Sequence, residues 1–358
     1  MKLYLHIGTE KTGSSFIQSY LANNRRMLSQ HGIYFPKAGM READMQSGRI
    51  SPGNASELNT LLVHKSWTKV EQWLKDKYKA VKANECNKLL LSNEVLIKTF
   101  SETNVLEKFI KISKSVDFDL QDLLLIIREP IAQALSLYKH RSKNGDMLPI
   151  IEWLESKYSL ADCLKNFYRH IKDLNVGLKQ YPYKTDSQYL VEVCVKKWLG
   201  LNENIKIEHT SVNPSLTLSE LKLMSEIKKQ DAFLAKTFYN SMIAIPSEQK
   251  SDDIYAKTFY KTAISDHLYK QKEVWGVCNS NMTEGRIALP EPKVHENIEK
   301  QKVIEFSFSE IQLMNITQLI SLNRTSNYKN QKLINSLKSI VISILPKSTI
   351  NQIMKIKR

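Results

Sequence analysis

The chain has 358 residues, 42% of them hydrophobic, and a net charge of +15, enough apolar material for one large domain or one domain with an extension. Its four cysteines, Cys86, Cys163, Cys194 and Cys278, are far apart with no C-x-x-C pair, which argues against a zinc site or disulfide framework and suits a reducing compartment. No apolar run approaches the roughly 18 residues needed to span a bilayer.

Residues 2–7, KLYLHI, alternate and end at a glycine, the pattern of a buried strand feeding a loop. The next stretch, GTEKTGSS, spaces Gly8 and Gly13 as the nucleotide-binding motif G-x-x-x-x-G-K-[ST] does and puts Ser15 at its last hydroxyl. Ser14 holds the position of the motif's lysine, and the lysine stands inside the loop as Lys11. From Ser14 the spacing turns helical, with Phe16, Ile17, Tyr20, Leu21 and Leu28 near one face. Strand, glycine loop and helix therefore follow directly, and the helix start offers free N–H groups and a positive dipole end to an anion.

HGIYFP, residues 31–36, reads as a short strand, and the polar stretch from Lys37 to Glu57 as an irregular segment bordering a cleft. Residues 61–83 read as a helix and NKLLLSNEVL as a buried strand ending near Ser92, with Glu94 just beyond. EKFIKIS is helical, and DLLLIIREP is a strand stopped by Arg128 and Pro130, with a helix starting at the proline. Helices are expected to dominate from Ile150 to Leu199 and after Leu218. Strand–helix alternation of this kind predicts a parallel α/β sheet.

In open α/β sheets ligands bind beyond the carboxyl ends of the strands. Three such ends carry notable polar residues: Gly8–Ser15, Ser92–Glu94 and Arg128. Ser136 follows Arg128 by eight residues, so a strand-end arginine and a helix hydroxyl can grip one phosphate from two sides. His6 reads as a buried strand histidine beside the loop, and His31, His64 and His140 as structural or solvent-facing.

These motifs resemble those of the PAPS-dependent sulfotransferases. TEKTGSS is similar to that family's 5′-phosphosulfate loop, whose lysine precedes the second glycine, and REPIAQALSLY to its 3′-phosphate motif. LLLSNE resembles the strand-end serine–glutamate segment of bacterial carbohydrate sulfotransferases, and WLGL followed by VNPSLT, with Asn213 and Ser215, the close of the same domain. Glu10 stands where many members have proline, and YPYKTDSQYL lacks the tyrosine–glutamate pair often found there. The resemblance covers residues 1–225. It implies a P-loop NTPase-like central parallel sheet flanked by helices, with 226–358 as a mainly helical C-terminal extension.

The implied activity is transfer of a sulfuryl group from 3′-phosphoadenosine 5′-phosphosulfate (PAPS) to a hydroxyl, on a bacterial glycan such as a capsule, lipopolysaccharide or exopolysaccharide. Donor contacts carry over to Gly8, Thr9, Glu10, Lys11, Thr12, Gly13, Ser14, Ser15, Arg128 and Ser136, and catalysis to Lys11 and Glu94. Glu94 is either the general base or a partner of Lys11 or of a substrate hydroxyl. A sulfuryl group carries one negative charge fewer than a γ-phosphoryl group, so a lysine and backbone N–H groups can serve without a metal, and neither strand ends in a metal-binding aspartate.

After Glu310 the remaining 48 residues hold no acid and eight of the basic residues. Leu333, Ile334, Leu337, Val341, Ile344 and Leu345 form a helical stripe there, with two readings: a helix packed on the main domain, or, over 332–358, peripheral contact with an anionic membrane. With a strand beginning at Lys2, no secretory signal is visible, and the expected location is cytoplasmic or at the inner membrane face. No nucleic-acid partner is expected. The rival readings are a nucleotide kinase or NTPase, and a non-catalytic basic protein binding nucleic acid or membrane on a P-loop scaffold.

Overall fold

The structure is a computed structural model that describes residues 1–49, 51–202, 215–251, 253–292 and 307–322; Asn213 and the 332–358 segment lie outside the described residues. In chain order the elements are β1 (Lys2–His6), α1 (Ser14–Asn23), α2 (Arg25–Gln30), β2 (Ile33–Tyr34), α3 (Glu42–Gln46), α4 (Ser56–Val63), α5 (Trp67–Ala83), β3 (Lys88–Ser92), α6 (Leu96–Phe100), α7 (Val105–Ser115), β4 (Asp119–Ile127) and α8 (Pro130–Ser142). Then come α9 (Ile150–Ser156), α10 (Leu160–Ile171), β5 (Gly177–Pro182), α11 (Ser187–Glu192), α12 (Leu218–Gln230), α13 (Ala232–Ile243), α14 (Ile254–Tyr269), α15 (Lys272–Ser280) and α16 (Glu310–Leu322). No helix among the described residues is long and apolar enough to cross a membrane.

Two compact units interleave along the chain, the first from residues 1–133, 159–212 and 271–289 and the second from 134–158, 213–270 and 290–358. The first unit holds a five-stranded sheet in the order β2-β3-β1-β4-β5 with every pairing parallel. The α/β class expected from the sequence is therefore present.

Leu123 to Ile127 in β4 are all fully buried, an apolar run rather than an alternating one. A parallel sheet covered on both faces demands this. On one face Leu90, Leu124 and Ile126 pack with Ile17 and Leu21 of α1 and with Leu190, Val191 and Trp198 around α11. On the other, α5 and α7 lie against β3 and β4. The chain leaves β1 toward the β2 edge and leaves β4 toward the β5 edge, so the crevice between their carboxyl ends is a topological switch point.

Three details differ from the sequence reading. β5 lies inside the stretch read as helical, because GLKQYP is an edge strand whose first three residues are only partly buried. The stretch from Lys37 to Glu57 contains α3 and the start of α4. The helix read over 61–83 is two helices, broken where Ser66 N–H bonds to Leu61 O and Lys65 N–H to Leu62 O, with Lys65 left-handed at φ 51°. That is a Schellman stop with lysine in place of the usual glycine, so it leaves no composition signal.

The described part of the second unit is helical. Leu221, Met224, Ile227, Leu234, Phe238, Met242, Leu313 and Ile316 form its core. Thr217 and Glu220 make a reciprocal capping box at the start of α12. Glu220 is fully buried, ion-paired with Lys250 at 3.1 Å and bonded by Gln312 Nε2 at 2.7 Å, which satisfies a carboxylate taken out of water.

The loop before α4 packs over the carboxyl end of β3. Gly53 has φ 85°, and a Cβ there would stand 2.1 Å from the Ser92 carbonyl oxygen, whereas at Gly39, φ 59°, a Cβ meets nothing within 4 Å. Gly53→Ala is expected to cost at least about 3 kcal/mol by urea denaturation, against about 1–2 kcal/mol for Gly39→Ala. Equal losses would show that the loop yields freely.

Candidate functional site

The residues that end β1 remain tied to both neighbouring strands. Ile7 N–H bonds to Leu124 O at 3.0 Å, Asn93 N–H to His6 O at 3.0 Å and Ile97 N–H to Ile7 O at 3.2 Å. The Gly8–Gly13 loop then leaves the sheet and is braced through its carbonyls. Thr12 Oγ1 donates to Thr9 O at 2.6 Å, Gln133 Nε2 to Glu10 O at 3.1 Å and Arg128 Nη1 to Lys11 O at 3.3 Å, while Thr9 Oγ1 anchors to Ile126 O at 3.1 Å. Lys11 is left-handed at φ 66°, a conformation costing a non-glycine residue about 1–2 kcal/mol, and Gly13 is left-handed at φ 80°. Left-handed turns with the carbonyls held away form the concave backbone that collects anions.

Gly13 is the N-cap of α1, and Ser14 and Ser15 are its first two residues. The first-turn N–H groups have no intrahelical acceptor and carry the positive end of the helix dipole. A Cβ on Gly13 would stand 2.7 Å from Leu190 Cδ1 and 3.3 Å from Tyr183 Cε2, so the leucine end would have to shift, and the φ of 80° is what favours glycine here. A Cβ on Gly8 would stand 3.0 Å from His6 Nε2 and 3.1 Å from Ser14 Oγ. Those two atoms are buried and have no hydrogen-bond partner among the described residues. Orphaned buried polar atoms are rare, and here two converge on the loop at a helix start.

Arg128 sits at the end of β4, and its guanidinium also lies over the Tyr183 ring at 5.2 Å. Glu129, beside it, caps α8 by accepting from Ile131 N–H at 3.0 Å and Ala132 N–H at 2.7 Å. Glu94 is partly buried, next to Asn93 and hence on the same carboxyl edge as the loop. Gly8, Thr9, Glu10, Lys11, Thr12, Gly13, Ser14, Ser15, Arg128 and Glu94 are thus gathered on one edge of the first unit. Ser136 lies two turns along α8, in the part belonging to the second unit. His31 and His64 stand at the C-terminal ends of α2 and α4.

Sequence reasoning missed a cavity of about 420 Å³ at the end of β5, lined by Pro182, Tyr183, Lys184, Tyr189, Glu284, Gly285 and Arg286. The 283–286 segment is held there because Thr283 N–H bonds to Gln180 O at 2.8 Å and Gln180 N–H to Thr283 Oγ1 at 2.9 Å. Glu284 is paired with Lys197, which leaves Lys184 and Arg286 as the cations of the lining. Burial pushes the Tyr189 phenol up to about 12, so it stays protonated, and its buried oxygen has no partner among the described residues. The aromatic and basic residues of YPYK were the available signal; nothing in the sequence ties Glu284–Arg286 to β5.

His6 is fully buried, and desolvation holds its imidazole down at about 4. The unfolded chain binds this proton near the ordinary 6.5, so stability should fall as pH drops through 6.5 toward 4, by about 3 kcal/mol from this group. Denaturation midpoints over that window measure the fall, and a His6 NMR signal that titrates near 6.5 in the folded protein would contradict it.

Comparison with protein-family models, with curated proteins and with solved structures finds no match to this chain.

Proposed function

We propose that the protein is a sulfotransferase using PAPS, on a P-loop-like α/β scaffold, with a hydroxyl of a glycan as acceptor. The observation that carries this reading is the cradle at the switch point. A loop with tethered carbonyls runs into the start of α1, where the buried Ser14 hydroxyl has no partner among the described residues, and it places its lysine inside the turn. That donor set suits the 5′-phosphosulfate group. Arg128 faces the donor's second phosphate in this reading, and the Tyr183–Tyr189 cavity, with Lys184 and Arg286, has the aromatic faces and positive charge to take the nucleoside end.

In the reaction the acceptor oxygen attacks sulfur, the bond from sulfur to the bridging oxygen breaks, and adenosine 3′,5′-bisphosphate leaves. The α1 N–H groups and Lys11 neutralise the charge growing on the bridging oxygen and the 5′-phosphate. Glu94, at the same edge, takes the acceptor's proton.

Adenosine 3′,5′-bisphosphate is expected to raise the melting temperature more than AMP does, by linkage to the folded state. Equal shifts would remove the second-phosphate assignment, and a larger shift with Mg-ATP would favour a kinase. For the chemistry, Lys11→Ala should lower kcat about 10²–10³-fold with the Kd for the bisphosphate little changed. Glu94→Gln should lower kcat about 10²–10⁴-fold and abolish the acidic limb of the pH–rate profile. Arg128→Ala should chiefly raise Kd, with some loss of kcat because it also releases the Lys11 carbonyl. Turnover surviving Lys11→Ala at saturating donor would take that residue out of the mechanism.

A further inference from the structure

A row of buried polar side chains runs beneath the loop. Gln18 Nε2 donates to Ser92 Oγ at 3.1 Å, and Ser92 Oγ lies 2.9 Å from His6 Nδ1. Gln18, Ser92 and His6 are all fully buried, and Ser14 is 3% exposed. Gln18 presents its Nε2 to Ser92 Oγ, and its Oε1 is buried with no hydrogen-bond partner among the described residues.

With Gln18 as donor, His6 Nδ1 is the other polar atom in reach of the Ser92 hydroxyl among the described residues, and the relay assigns the Ser92 proton to it. That makes Nδ1 an acceptor and puts the imidazole proton on Nε2. The Nε2–H then faces the floor of the loop at Gly8, where Ser14 Oγ also stands, both within 3.1 Å of the same point. Ser14 is the first residue of α1.

We propose that Gln18, Ser92 and His6 form a directed hydrogen-bond relay ending in the Ser14 hydroxyl, and that His6 is a positioning residue for the anion held by the loop. Loading the loop draws Ser14 Oγ into the relay: it accepts from His6 Nε2–H and turns its own proton onto the anion. The orphaned atoms of His6 and Ser14 then satisfy each other. Desolvation keeps the imidazole neutral near pH 7, so the relay supplies a fixed dipole rather than a charge. This rests on the reading of the loop as an anion site, and it concerns an oxygen of any tetrahedral anion bound there.

The test uses the full chain with ¹⁵N-labelled histidine. The His6 signal is expected to show the Nε2–H tautomer without ligand. Its Nε2–H should shift and exchange more slowly with adenosine 3′,5′-bisphosphate or with inorganic sulfate, and Ser14→Ala should abolish that response. His6→Gln, which keeps a donor where Nε2 stands, should retain affinity for the bisphosphate. His6→Asn should lose about tenfold, as should Ser14→Ala, and the double variant should lose no more than either single one.

An Nδ1–H tautomer overturns the relay whatever the variants do, and so does anion binding that leaves the His6 signal unmoved. If sulfate moves the signal while the bisphosphate does not bind, the donor assignment falls and the relay stands. If no anion binds, both fall.

Discussion

The constraint on which the candidate site depends is the double tethering of the chain at the end of β1. His6 and Ile7 are bonded through their backbones to β4 on one side and to the turn after β3 and the first turn of α6 on the other. The chain must leave the sheet at Gly8 from a fixed point and in a fixed direction. α1 is pinned in turn by packing Ile17 and Leu21 on Leu90, Leu124 and Ile126. With both ends held, the six residues between them have little freedom, and the left-handed conformation at Lys11 persists because Arg128, Gln133 and Thr12 hold the carbonyls around it. The loop is shaped before any ligand arrives, which removes an ordering cost from binding.

Beneath the loop the protein keeps a polar layer where an apolar one would pack more simply. His6, Gln18, Ser92 and Asn54 are buried, and Asn54 Oδ1 accepts from the Ser92 N–H at 2.7 Å while its Nδ2 donates to Leu90 O at 3.2 Å. Half-satisfied networks of this kind are costly, because each orphaned atom loses its water without replacement. The cost falls at the carboxyl crevice, where strain and desolvation are expected to collect if the edge holds a ligand.

Much of this edge was legible in the residues themselves. KLYLHI alternates into a glycine and DLLLII is an apolar run too short for a helix and stopped by Arg128 and Pro130, and both are strands. The glycine spacing located the turn before α1, and Pro130 the start of α8. What stayed hidden depends on contacts distant in sequence. GLKQYP becomes a strand because β4 offers its edge and because Gln180 finds Tyr168 and Cys278 as buried partners at 2.7 and 2.8 Å. Lys65, Glu85 and Asp117 end α4, α5 and α7 in left-handed turns without glycine. The orphaned atoms of His6 and Ser14 belong to burial, which no motif spells out.

The interleaving of the two units bears on how the chain is made. β1 to β4 are complete by Ile127, yet β5 is not synthesised until Pro182, and the Thr283 strap on its edge comes a further hundred residues later. During vectorial synthesis the sheet therefore waits with an open flank, first at β4 and then at β5, while segments of the second unit emerge in between. Long-range closure of this kind slows folding and leaves strand edges open to wrong pairing. The polar, proline-ended character of GLKQYP is suited to that interval: a nascent edge carrying lysine and glutamine is a poor template for another chain.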